Sequence, residues 1–146
     1  MSIEEQMHVL GIVLGWIIVA GYLWSVMNYF VKRINREWIV RLPEGTPTPK
    51  AFSGFMRAVT KSHTYVPLFL LTIMLLHFLM ELIHVGFFIS GVIAIGLLTT
   101  QIALGIYGKS KKDKKTAFWL YAHRSVAVLL FFAISVHVVT VVVLKP

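Results

Sequence analysis

Apolar residues gather in four long blocks, at about 9–30, 66–83, 87–107 and 118–144, with polar segments between them. A bilayer's hydrocarbon core needs roughly 20 residues of helix to cross, so the pattern predicts four transmembrane helices. Glu81, His84 and Gly86 mark a tight turn between the second and third blocks. The other connections, 31–62 and 108–117, are loops. In the first loop, Leu42-Pro43-Glu44-Gly45-Thr46-Pro47-Thr48-Pro49 is turn and breaker chemistry throughout. Beyond it Phe52, Phe55, Met56 and Val59 recur at helical spacing, with Arg57 and Lys61 interleaved. Two readings fit that stretch: a short amphipathic helix at the membrane interface, or simply the first turns of the second transmembrane helix.

Composition sharpens the picture. Of 146 residues, 58% are apolar and 14% charged, and the mean hydropathy is +0.79. A chain this short cannot hide so much apolar surface in a water-soluble core. The expectation is therefore a single all-α membrane domain over 1–146, its four helices running up-down-up-down, with no room in these residues for a soluble catalytic domain. There is no cysteine, which excludes disulfides, thiolate metal sites and haem attached through C-x-x-C-H. No phosphate-binding glycine loop appears. The start, Ser2-Ile3-Glu4-Glu5, has acids where a cleaved signal peptide is basic, and the apolar run after it is too long for one.

The net charge of +8 is distributed unevenly. Lys32, Arg33, Arg36, Arg41, Lys50, Arg57 and Lys61 lie in the first loop; Lys109, Lys111, Lys112, Lys114 and Lys115 lie in the second, with Arg124 just inside the fourth block. Only Lys145 falls on the opposite side. The positive-inside rule then puts both loops in the cytoplasm and both termini outside, as in a multi-pass protein of a prokaryotic cytoplasmic membrane. That rule accounts for the basicity, so no nucleic-acid partner is implied. The lysine run 109–115 reads as a solvated loop facing lipid phosphates.

Histidines carry the chemistry. His63 and His77 are 14 residues apart on the second helix, read as starting just before its apolar block, and His123 and His137 are 14 apart on the fourth. Fourteen helical residues complete almost four turns, so each pair shares a face over about 21 Å. Helices two and four run in the same direction, which matches His63 in depth with His123 near the inner side, and His77 with His137 near the outer side. Ionisable groups inside a membrane are costly and default to function. Two facing imidazoles suit both axial positions of a haem iron, with four helices as the apolar sleeve. Gly91 and Gly105 on the third helix share the same spacing, as do Gly11 and Ser25 on the first. Small residues at those depths would let a flat macrocycle approach the backbone, although ordinary small-residue packing has the same signature.

This arrangement resembles the dihaem four-helix module of the membrane cytochrome b family, whose second and fourth helices each carry two histidines about 14 residues apart. The resemblance covers all four helices. It implies two non-covalent b haems (protohaem IX) held between helices two and four, with His63, His77, His123 and His137 as axial iron ligands. It also implies a role in moving electrons across the membrane. No counterpart of that family's later, quinol-binding helices lies in these residues, nor does a Pro-Glu-Trp-Tyr motif, so its substrate does not carry over.

Other polar groups suggest supporting roles. Arg57, Lys61 and Arg124 are near the inner histidines and would suit haem propionates, or would simply snorkel to the interface. Glu81 and His84 follow His77 at i+4 and i+7, and His8 starts the first helix at similar depth. These are the candidates for a proton-handling site serving a quinone or another small redox substrate. Tyr121, Tyr107, Trp119, Trp16 and Trp38 read as interface belts or packing. With no flavin or nicotinamide machinery, an electron carrier or oxidoreductase membrane subunit needs a separate donor and acceptor, and its basic face would suit an acidic protein partner. Two other classes compete: a histidine-lined metal-ion transporter and a structural membrane-anchor subunit.

Overall fold

The computed structural model describes residues 2–43, 46–84, 86–110 and 117–142. Among them are five α-helices and no strand: α1 (Ile3–Glu37), α2 (Thr48–Ser62), α3 (Val66–His84), α4 (Ile89–Ser110) and α5 (Ala117–Val142), with a short 3-10 turn at Ile39–Arg41. Four of these, α1, α3, α4 and α5, are long and apolar enough to cross a membrane. The up-down-up-down all-α membrane bundle is the observed architecture. Glu44, Lys111, Lys112, Asp113, Lys114, Lys115 and Lys145 lie outside the described residues, as does the end of the predicted fourth span.

The first helix exceeds its apolar block at both ends. Ser2 caps it reciprocally: its hydroxyl accepts from the Glu5 amide at 3.2 Å, and the Glu5 carboxylate accepts from the Ser2 amide at 2.7 Å. Glu4 and Glu5 also favour the positive end of the helix dipole. The fourth helix is displaced relative to 87–107, starting and ending later. Between α3 and α4, Gly86 takes a φ of +105°, which only glycine adopts without strain. Its amide returns to the Glu81 carbonyl at 2.9 Å, closing the helix end.

The stretch after the proline-rich loop is a helix of its own, α2, which resolves the two readings in favour of a separate amphipathic segment. It runs antiparallel along the end of α1. The Trp24 indole donates to Ser62 at 2.8 Å, Thr60 donates to the Asn28 side-chain oxygen at 3.1 Å, and Val31 and Val59 are buried in the seam.

Close backbone packing runs along α1–α3 and along α4–α5; α3 and α5 make no comparable run. The two helix pairs meet through a central cluster of Ile18, Tyr22, Leu70, Met74, Ala94, Leu98 and Leu130. Tyr22 on α1 ties the pairs together by donating to the Ala127 carbonyl on α5 at 2.7 Å. Outside, large apolar side chains face away from the bundle, among them Trp16, Phe69 and Phe132. The span hydroxyls of Ser25, Thr99, Thr100, Ser135 and Thr140 donate back to their own helix carbonyls four residues earlier. That satisfies them where a lipid surround offers no partner.

Candidate functional site

Two histidine pairs form, each joining a residue from the α2–α3 stretch to one on α5. On the loop side, where α3 and α5 begin, the rings of His63 and His123 stand 6.4 Å apart, centre to centre, at an interplanar angle of 89°. On the far side, where α3 turns into α4, His77 and His137 stand 6.3 Å apart at 85°. The pairing by depth is the one that the spacing predicts.

One placement differs. His63 does not lie on the helix that carries His77; it ends α2 and opens the turn before α3. Pro67 explains the break, since it has no amide to offer the His63 carbonyl and its ring crowds that oxygen. The chain crosses the gap through tightened bonds, Thr64 amide to Lys61 carbonyl and Tyr65 amide to Ser62 carbonyl. His63 therefore stays within reach of His123. Burial pushes its imidazole below the ordinary value, and the Lys32 charge pushes the same way against an opposing Ser25 backbone contact. A neutral imidazole is the form that binds a metal.

The ring nitrogens are held differently in the two layers. On the far side, His77 Nδ1 is hydrogen-bonded to the Gly11 carbonyl and His137 Nδ1 to the Ser90 hydroxyl, both at 3.0 Å. Engaging Nδ1 in this way orients each ring and leaves Nε2 unengaged, a common outer-shell device around metal-bound histidine. On the loop side, His123 Nε2 meets the Gln101 amide at 3.2 Å. His63 Nδ1, His123 Nδ1, Gln101 Oε1 and Trp119 Nε1 are buried there without a partner. Burying such a polar atom costs about 1–3 kcal/mol when nothing bonds it.

Glycines line the rings closely. A Cβ on Gly15 would lie 3.5 Å from the His77 ring, one on Gly91 3.4 Å from His137, and one on Gly105 3.7 Å from His123. Gly91 and Gly105 thus stand where expected, whereas Gly11 does not face a ring. Gly11 gives its carbonyl to His77, and a Cβ there would come within 2.6 Å of the Glu81 carboxylate. Gly15, unforeseen, takes the facing role. A cavity of about 410 Å³ opens at the far-side pair, lined by His77, His137, Gly15, Gly91, Glu81 and His8 together with core apolar residues.

The remaining candidates scatter. His84 is exposed and is not among the residues lining that cavity. Arg57 and Lys61 line a separate groove beside Lys32, which contains no histidine. Arg124 lies over the Tyr29 ring at 5.2 Å. Trp119 leans on His123, with ring centres 6.4 Å apart, and fills the space left by Gly108. Ser90, Gln101 and Gly108 carry no signal in the sequence, because their importance depends on which ring they meet. Among the described residues no group of three or more His, Cys, Asp or Glu side chains converges on one point.

The fold and site together define a four-span α-helical membrane bundle with two facing histidine pairs. Comparison with protein families, curated proteins and solved structures finds no match.

Proposed function

We propose that this chain is a transmembrane electron carrier, holding one non-covalent b haem on His63 and His123 and another on His77 and His137. The observation that carries the reading is the ring separation. A transition-metal–imidazole bond is about 2.0–2.1 Å, and the nitrogen stands about 1.1 Å from its ring centre, so two rings sharing one ion in line stand about 6.3 Å apart. The observed values are 6.4 and 6.3 Å. Orphaned nitrogens on the loop side and glycines against three of the four rings support it further. A bound haem supplies a one-electron iron couple. The residues of the chain orient the imidazoles, exclude water with the central apolar cluster and keep the backbone clear of a flat ligand. In this reading both loops face the cytoplasm. A proton-coupled substrate such as a quinone would meet Glu81 and His8 in the far-side cavity.

A metal-ion relay fits less well, because a protein zinc site takes three or four protein donors and the described residues group no three His, Cys, Asp or Glu. An absorption spectrum of the dithionite-reduced protein after haem-replete expression tests the proposal. Sharp b-type bands, with one haem per histidine pair, are expected; a colourless protein refutes it and leaves the anchor reading. His63→Ala and His123→Ala should abolish the same haem signal, and His77→Ala and His137→Ala the other. A shared loss between His63→Ala and His137→Ala would refute the pairing.

A further inference from the structure

Beyond the loop-side histidines, the hairpin of α1 and α2 encloses a groove lined by Lys32 and Asn35 from one wall and Ser53, Arg57, Thr60 and Lys61 from the other. Three cations converge there and no acid is among the lining residues. Glu37, the acid at the end of α1, is engaged with Arg33 at 3.0 Å. The two hydroxyls are committed as donors, Ser53 to the Lys50 carbonyl at 2.8 Å and Thr60 to Asn28 at 3.1 Å. With Met56 the one apolar lining residue, what the groove offers a ligand is ammonium, guanidinium and the NH2 of the Asn35 amide, a donor-rich set suited to an oxyanion. The Val31–Val59 seam and the Thr60–Asn28 bond hold the walls in register, so the site does not depend on flexible side chains alone.

Depth decides which oxyanion. Lys32 is seven residues along α1 from Ser25, about 10 Å beyond the loop-side histidine layer. The histidine layers span about 21 Å of a core about 30 Å thick. The groove therefore falls at the level of lipid headgroups. We propose that it binds a phosphate group, supplied by an anionic phospholipid of the loop-side leaflet.

Native mass spectrometry of the full chain, purified in mild detergent and supplied with phosphatidylglycerol or phosphatidylcholine of equal acyl length, tests this. Phosphatidylglycerol should survive delipidation and phosphatidylcholine should not. Lys32→Gln/Arg57→Gln/Lys61→Gln should weaken retention about a hundredfold, at roughly fivefold per cation. Arg36→Gln/Arg41→Gln/Lys50→Gln removes equal charge outside the groove and should leave retention unchanged. If the groove triple fails to fold by circular dichroism, Arg57→Gln alone, an exposed change, should still cost severalfold. Excess inorganic phosphate separates the sources: failure to displace the lipid assigns the site to the headgroup, and displacement assigns it to free phosphate. Equal retention in wild type and groove variants, or equal loss in both triples, overturns the proposal.

Discussion

Gly108→Ala and Gly96→Ala make the same chemical change on one helix, and the structure demands opposite outcomes. A Cβ on Gly96 meets nothing within 4 Å. One on Gly108 would overlap the six-membered ring of Trp119, with two of its carbons at 2.5 and 2.8 Å. Ordinary carbon contacts are about 3.5–4.0 Å, so the indole must withdraw by about 1 Å. It is a rigid plane already leaning on His123. Overpacking of this kind costs about 1–3 kcal/mol, while alanine returns about 0.5–1 kcal/mol of helix preference over glycine. Gly108→Ala should thus lose about 1–2 kcal/mol net, and Gly96→Ala should be neutral or slightly stabilising. Denaturant titration in detergent, followed by circular dichroism, reads both. On the proposed reading, the reduced spectrum should show a disturbed signal from the loop-side pair in Gly108→Ala and an unchanged one from the far-side pair. Equal stability in the two variants would refute the placement of Trp119 against α4.

Further tests address the core and the ligand shell. Leu130→Ala removes a side chain 1% exposed at the centre of the bundle. Lipid is as apolar as leucine, so the cost reduces to the cavity: roughly 80 Å³ at about 24 cal/mol per Å³, or about 2 kcal/mol. Unchanged melting of Leu130→Ala would show that the bundle closes over the gap. Ser90→Ala deletes the partner of His137 Nδ1 and, if that pair holds a haem as proposed, should weaken its binding about 10–100-fold. Haem titration of the apoprotein reads this, and an unchanged affinity would remove Ser90 from the site.

The four spans were legible because each apolar block is too long for anything but a membrane crossing. The histidine pairing was equally legible, since a 14-residue spacing repeated on co-directional helices leaves little choice of partner. What the sequence hid depends on direction and contact. Side chains on a helix lean toward its N-terminus. His77 therefore leans toward the loop side, and on antiparallel α1 its facing glycine is Gly15, one turn beyond Gly11. The break at His63 was written in Pro67, but its consequence, a separate α2 folded back on α1, required long-range contacts such as Trp24–Ser62. Arg57 and Lys61 were near the loop-side histidines in sequence, yet α2 turns them toward Lys32.

Halfway between the two histidine layers lies a purely aliphatic level. Ile18, Leu70, Leu98 and Leu130 each stand seven residues from the corresponding Gly11 and Ser25, His63 and His77, Gly91 and Gly105, or His123 and His137. All four are buried, at 8%, 2%, 6% and 1% exposure. Each of the four helices contributes one aliphatic side chain to this level, which also floors the far-side cavity. Protons and hydrated ions have no polar stepping stone across such a layer, whereas an electron needs none. Charge moved between the layers would leave its counter-ions behind. Each electron would then work with or against the membrane potential, by about 2.3 kcal/mol per 100 mV for a full crossing. If the two histidine layers hold haems as proposed, turnover in sealed vesicles should respond to an imposed potential, and turnover indifferent to it would refute transfer between the layers.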